Sequence, residues 1–451
     1  MIRILLLIAI ISYNSLSIEF DEHLRNDFQD FLDNFREVHN IKGVSVCVKS
    51  KDDLWLGTSG ISNEEQPVLS EMLFGIGSIT KTMTATVILK LCEEGVINLD
   101  EKIGKWFDGH EFIDSDITIR QLLNHTSGLY DYSANPDYHN AIYQNAMRIF
   151  SPRELLQFIH KPLFPKGTDW QYCNTNYMLA GIIISESTGK KVSELYREYI
   201  WDNIGLSNTY LAVEEEMTGI IANRWVNENN LSNIPINAAF SGAWTSGSVF
   251  STAYETALFV EALNSAGIIN KESLNEMFDF VAASDYGLGI SKKIIDGSEV
   301  RGHTGSIRGY NSIALYIPKY EITIVILVNS SPASPVFLAE RIIRHLNQNY
   351  PSSYFKKNVK SILSIFPNPA TDFITIQLSN KGLQPFAAGD KVQIFDMLGL
   401  EVISTQSASQ PPTGEGNLRI DVSHLPAGVY FIKINCSNGA CSIVEKFVKQ
   451  L

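Results

Sequence analysis

The chain has 451 residues, too many for one small domain, and its 45% apolar and 19% charged content suits a folded, core-forming protein better than a disordered one. A formal net charge of -13 argues against nucleic acid as a partner. The nine histidines make no HExxH and the five cysteines no CxxC, so neither a metal site nor another cofactor is expected.

Arg3 precedes eight apolar residues, Ile4 to Ile11, and Ser15-Leu16-Ser17 supplies small residues where a signal peptidase reads. Such a run falls well short of the about 20 residues that cross a bilayer. Residues 1–17 therefore read as a signal peptide, with no transmembrane segment expected. Phe20 to Glu37 read as a helix and Val44 to Val48 as a strand of an antiparallel sheet.

Ser78-Ile79-Thr80-Lys81 opens a second helix, whose residues Thr82 to Leu91 are apolar almost all round and which Glu93, Glu94 and Gly95 bring to an end. Positions i and i+3 share a helix face, so Ser78 and Lys81 can touch. A hydroxyl becomes a nucleophile near neutral pH only when a neighbour takes its proton, and a lysine does so only with its charge suppressed. Gly75 and Gly77 allow the backbone to approach closely. Two further Ser-x-x-Lys occurrences, at Ser187 and Ser353, have no apolar helix after them.

His125 in Leu123-Asn124-His125-Thr126-Ser127-Gly128 is, by residue type, a candidate triad base. Tyr130, Tyr132 and Trp244 are candidates both for lining a pocket and for core packing. Tyr172-Cys173-Asn174 follows Pro165, Gly167 and Trp170 in a loop and precedes an apolar helix that Gly189 stops; Tyr143-Gln144-Asn145 repeats the pattern inside a polar helix and is set aside. Gly287-Leu288-Gly289-Ile290 reads as strand-like. His303-Thr304-Gly305 follows on a strand that Gly302 and Gly305 keep bare, so that a substrate backbone could lie alongside. A hairpin from Ser312 to Val328 and a helix from Val336 to Asn347 complete this part.

Beyond the basic residues Lys356 to Lys360, helices give way to short strands, Phe373–Ile376, Val392–Phe395 and Val429–Ile434, and residues 362–451 hold six Lys/Arg against seven Asp/Glu. Strands parted by Gly, Pro and Asn clusters predict a small β-sandwich. Cys436 and Cys441 flank an Asn-Gly turn, where a cross-hairpin disulfide or two free thiols are both open.

The segments FGIGSITKTMTATVIL, ITIRQLLNHTSGLYDY, WQYCNTNYMLAGIIISESTGKKV, GAWTSGSVFST, DYGLGI and RGHTGSIRGYNS resemble, in order and spacing, the penicillin-binding and class C β-lactamase family, above all its secreted D-alanyl-D-alanine carboxypeptidases. FPNPATDFITI, VQIFDMLGLEV, IDVSHLPAGVYFIKI and EKFVKQL resemble the C-terminal sorting domain of type IX secretion. The fold implied is α+β: a β-lactamase/transpeptidase-like domain with an antiparallel sheet flanked by helices and a helical lobe from about Gly75 to Gly205, then a small all-β sandwich. The boundaries implied are 1–17 signal peptide, 18–350 hydrolase, 351–361 linker and 362–451 sorting domain.

The resemblance further implies roles, and for the His125 segment a structural one, ending one helix and starting the cleft wall. Ser78 is the acylated nucleophile, Lys81 receives its proton, and Tyr172 passes a proton to the leaving group. Asn174 orients the substrate and Lys81, His303 and Thr304 contact the substrate's carboxylate side, and Gly305 completes that motif. The amides of Ser78 and Ser306 form the oxyanion hole. His303 stands where lactamases commonly carry lysine, Cys173 stands where serine is usual, and no clear match exists for a carboxylate-holding arginine, although Lys292, Lys293, Arg301 and Arg308 are close in sequence.

The function implied is a secreted or cell-surface serine hydrolase for a small peptide or ester, most simply a D-alanyl-D-alanine carboxypeptidase. Type IX machinery is the implied partner. Alternatives are an esterase or β-lactamase-like enzyme of the same fold and a non-catalytic binding protein; for the tail, a carbohydrate-binding or adhesive module.

Overall fold

The computed structural model describes residues 20–349, 363–366, 368–378, 391–395, 401–406, 418–435 and 442–450. The signal-peptide reading, the linker, and Cys436 with Cys441 lie outside the described residues. The chain divides into two compact units, Ser17–Phe355 and one that contains Lys356–Leu451.

The larger unit is built on a seven-stranded antiparallel sheet. Its strands are β1 (Gly43–Lys49), β2 (Leu54–Asn63), β3 (Gln66–Pro67), β4 (Ser291–Ile295), β5 (Ser298–Ile307), β6 (Tyr310–Ile317) and β7 (Ile322–Val328), arranged in the order β3-β2-β1-β7-β6-β5-β4. In the centre the strands are buried on both faces, so β7 reads ITIVILV with no polar alternation after Thr323. Residues alternate between two cores. Val44, Val46, Ile324 and Ile326 meet the two terminal helices through Phe28, Leu32, Ile342 and Leu346, whereas Cys47, Val325 and Leu327 belong to the core shared with the helical lobe.

The helices expected from the sequence are present, their ends shifted by a few residues, and Ala253–Asn264 adds one that was not expected. Glu22–Val38 (α1) and Val336–Asn349 (α5) are amphipathic and cover the outer face; Asp21 caps α1 through the amide of Leu24. Thr80–Glu93 (α2) is buried from Thr80 through Leu89, which explains its apolar composition all round. Asn174–Thr188 (α3) is likewise buried along most of its length and ends at Gly189, and Ala253–Asn264 (α4) packs on the sheet.

One local expectation fails. Gly287–Ile290 is not a strand: the Gly287 amide donates to the Ile290 carbonyl over 2.8 Å and Leu288 donates to Met277, folding the segment onto itself, and the strand starts at Ser291.

The described residues of the C-terminal unit are all-β. A three-stranded sheet, β8 (Leu363–Phe366), β9 (Phe373–Leu378) and β12 (Leu418–Asp421), and a four-stranded one, β10 (Lys391–Phe395), β11 (Glu401–Gln406), β13 (Gly428–Asn435) and β14 (Ser442–Lys449), share one core. Ile374 and Ile376 from the first sheet and Val392, Ile394 and Ile432 from the second are fully buried there.

Candidate active site

Ser78 sits in a single 3-10 turn, Gly77–Ile79, that runs straight into α2. Gly77 has φ +54°, and a Cβ there would lie 2.7 Å from the Ser306 amide nitrogen, so this backbone packs directly against β5. A Cβ on Gly305 would lie 2.1 Å from the Ile76 carbonyl oxygen, and the Ser312 hydroxyl donates to that same oxygen over 2.8 Å. The bareness of the strand at Gly305 thus makes room for the loop that carries Ser78. The consequence is that the turn carrying Ser78 lies directly against the Ser306 amide.

Lys81 is fully buried, and its Nζ lies 3.1 Å from Ser78 Oγ, 2.8 Å from Asn174 Oδ1 and 2.6 Å from the Ser246 carbonyl oxygen. Burial lowers its pKa to about 7, with Asp131 and then Cys173 opposing the shift. A neutral amine has two N–H groups and one lone pair. Asn174 Oδ1 and the Ser246 carbonyl can only accept, so both N–H groups go to them. The lone pair is left facing Ser78.

Tyr172 places its ring 4.9 Å from Lys81 Nζ, and its buried hydroxyl makes no hydrogen bond of normal geometry, although Ser78 is close enough to oppose the effect of burial. Burial pushes the phenol far above its ordinary range, so it is protonated at neutral pH. His125 is buried beneath this turn, its Nδ1 accepting from the Cys173 amide at 3.2 Å and its ring 4.4 Å from that of Tyr172. Burial, then the charge of Lys81, holds His125 neutral. It props the Tyr172 loop, in keeping with the structural role that the resemblance implies.

His303 is also neutral: burial, with Lys81 next, lowers its pKa to about 3. Its Nδ1 contacts the Thr304 carbonyl at 2.5 Å and its Nε2 the Tyr286 hydroxyl at 2.8 Å, which assigns the proton to Nδ1 and makes Tyr286 the donor. Thr304 and Ser306 are exposed beside it.

Ser78, Tyr172, Asn174, His303, Thr304, Gly305 and Ser306 all line one cleft of about 960 Å³ between sheet and helical lobe, with Lys81 in its floor through Ser78. Tyr132 lines the cleft too, whereas Trp244 is a core residue whose Nε1 donates to Glu214. Sequence reasoning gave no role to four contributors. The Ser246 carbonyl, Asp131, Ser133 and Tyr286 act through backbone or through partners distant in sequence; Asp131 and Ser133 alone carry a local signal, an aspartate two residues before a serine, as in an Asx turn. Among the described residues no group of His, Cys, Asp and Glu could hold a metal ion, and no helix is long and apolar enough to cross a membrane.

Comparison with known proteins places the fold. A penicillin-binding protein of Bacillus subtilis is 25% identical over 333 residues, 68% of this chain and 72% of that protein. A D-aminopeptidase of Gluconobacter oxydans is 23% identical over 309 residues, 64% of this chain but only 56% of the aminopeptidase, so the chain spans about half of that relative. The crystal structure of a D-stereospecific amidohydrolase from a Streptomyces species superposes with a TM-score of 0.63 at 29% identity, covering 71% of this chain and 97% of the other. Residues 364–450 match the secretion system C-terminal sorting domain, which indicates export to the cell surface or beyond. Residues 28–348 match the beta-lactamase family model, and the chain belongs to the beta-lactamase family of serine hydrolases.

Proposed function

We propose that the protein is an exported, serine-type D-stereospecific peptidase of the carboxypeptidase kind, which forms and hydrolyses an acyl-enzyme on Ser78. Neutral Lys81 takes the Ser78 proton as the oxygen attacks the substrate carbonyl. The amides of residues 78 and 306 receive the oxyanion, and Tyr172, still protonated, donates to the leaving nitrogen and then takes the proton that Lys81 accepted from Ser78, whose oxygen is now esterified. Water then attacks the ester by the reverse relay. The observation that carries this reading is the three-point environment of Lys81, which aims a lone pair at Ser78.

Substrate class rests on two supports. The relatives include D-aminopeptidases and a D-stereospecific amidohydrolase, alongside hydrolases of unguisins. In addition, the cleft lining includes Lys293 and Arg308 and no aspartate or glutamate, which suits a substrate with a free carboxylate better than one with a free ammonium. Neutral His303 supplies no charge for that purpose.

Mass spectrometry of the intact protein after reaction with a penicillin or a reactive ester tests the route: one acyl adduct is expected, absent in Ser78→Ala and Lys81→Ala. An adduct of equal yield on Ser78→Ala would remove the reading. Release of D-alanine from an N-acyl-D-Ala-D-Ala peptide, compared with hydrolysis of p-nitrophenyl butyrate, separates a peptidase from an esterase.

A further inference from the structure

Asp131 lies in the loop between the His125 segment and a short 3-10 turn, Tyr132–Ala134, and no motif reading assigns it a role in chemistry. Its carboxylate accepts four hydrogen bonds. Oδ1 takes the Ser133 amide at 2.9 Å and the Ser133 hydroxyl at 2.7 Å; Oδ2 takes the Asn174 amide at 3.0 Å and Asn174 Nδ2 at 3.1 Å. Ser133 Oγ also accepts from Asn174 Nδ2 at 3.0 Å. Both hydrogens of the Asn174 side-chain amide are therefore held by Asp131 and Ser133. The carbonyl end can point only at Lys81.

A flipped Asn174 would set its oxygen against the carboxylate, a repulsive contact, and its NH2 against the amine, where it would compete with Ser78 for the lone pair. With Oδ1 pinned, one N–H of Lys81 is committed to Asn174 and the other to the Ser246 carbonyl. Building on the proposed acyl-enzyme route, we infer that Asp131 is a positioning residue for proton transfer: acting through Ser133 and Asn174, it fixes which face of the Lys81 amine meets the nucleophile.

Asp131 has a second, electrostatic effect on the same amine. The titratable groups around Lys81 are His125 from the loop below, Tyr172, Cys173 and Tyr177 from the start of α3, His303 from β5, and Asp131. Burial keeps the histidines neutral, and it pushes the thiol and both phenols up so that they stay protonated. Asp131 is thus the charged neighbour that favours the ammonium form of Lys81 at neutral pH.

The two effects separate experimentally in Asp131→Asn. Asparagine keeps the size, loses the charge, and replaces one acceptor oxygen by an NH2 that faces amide donors. The expected result is a fall of about 10–100-fold in the acylation rate with a p-nitrophenyl ester, the scale typical of lost support behind a reacting group. The acidic limb of the pH-rate profile is expected to move below that of the wild type. Rates are normalised to the titratable Ser78 burst, so a misfolded fraction does not count. A wild-type rate, or a reduced rate with the limb unmoved, overturns the inference.

Ser133→Ala, which removes one acceptor of Asn174 without touching the charge, is expected to slow acylation several-fold with the limb in place. Should Asp131→Asn not fold, an unchanged rate in Ser133→Ala overturns the inference by itself. Absence of any Ser78 adduct in the wild type would instead defeat the proposed acyl-enzyme route, a separate outcome.

Discussion

The Ser246 carbonyl oxygen stands 2.6 Å from Lys81 Nζ and is the shortest of the three contacts that hold the amine. Protonated, Lys81 has three N–H groups and satisfies Ser78, Asn174 and Ser246 alike, leaving no lone pair for the serine. Deprotonated, it gives its two N–H groups to the fixed acceptors and turns the lone pair to Ser78. With a pKa of about 7, acylation is expected to rise with pH and level off above it, with no histidine limb, since His303 titrates only near about 3. The pH dependence of kcat/KM for an activated ester checks this; a profile that falls between about pH 5 and about pH 8 would contradict it.

Gly305→Ala tests how the nucleophile is held. The new methyl would sit 2.1 Å from the Ile76 carbonyl oxygen and 2.2 Å from Ser312 Oγ, inside any permitted contact. Strand β5 and the Ile76-Gly77 loop must part, carrying the amide of residue 78 away from that of residue 306. Because losing one oxyanion donor costs about 10²–10³ in kcat, a loss of that order is expected, together with a lowered melting temperature in thermal unfolding. A variant with wild-type kcat would show that the two amides do not work as a pair.

The parts of this molecule that were legible in sequence are those where one stretch of chain does the whole job. Ser78 and Lys81 share a helix turn, and the apolar runs Thr82–Leu91 and Ile322–Val328 declare burial on all sides. Tyr172 and Asn174 were legible as a loop entering a helix. What escaped was whatever depends on a partner far along the chain. Ser246 contributes a carbonyl, which every residue has, and Asp131 meets Asn174 across 43 positions. The glycines around residue 288 looked extended because alternation in so short a segment does not exclude a hydrogen-bonded turn. At Gly305 the sequence showed that the strand is bare, but nothing in RGHTGS names Ile76 as a group requiring the space.

The Tyr286–His303 pair predicts a stability effect. Both groups are buried, and the Tyr286 hydroxyl has the His303 Nε2 as acceptor at 2.8 Å. In His303→Ala that hydroxyl is left without its acceptor, at a cost of about 1–3 kcal/mol in addition to lost packing. Tyr286→Phe added to the same variant removes the orphaned donor and is expected to recover part of the loss. Denaturant unfolding of the two single variants and the double variant measures the coupling, and strict additivity would show that the hydrogen bond contributes nothing.

Substrate charge gives the last prediction. Lys293 projects from β4 on the side of His303, whose protonation it disfavours, while Arg308 follows β5 at the turn into β6 and draws the Tyr138 phenol back from the high value that burial imposes. Both side chains are exposed at the cleft, so each attraction is screened and individually modest. Replacing both by alanine is expected to raise KM for an N-acyl-D-Ala-D-Ala peptide about tenfold, with little change for the same peptide ending in a carboxamide and little change in kcat, because uniform binding and not transition-state stabilisation has been removed. The wild-type preference should weaken with added salt. Equal KM changes for acid and amide would mean that the two cations do not read the substrate's carboxylate, and a preference for substrates with a free amino terminus would turn the specificity reading round.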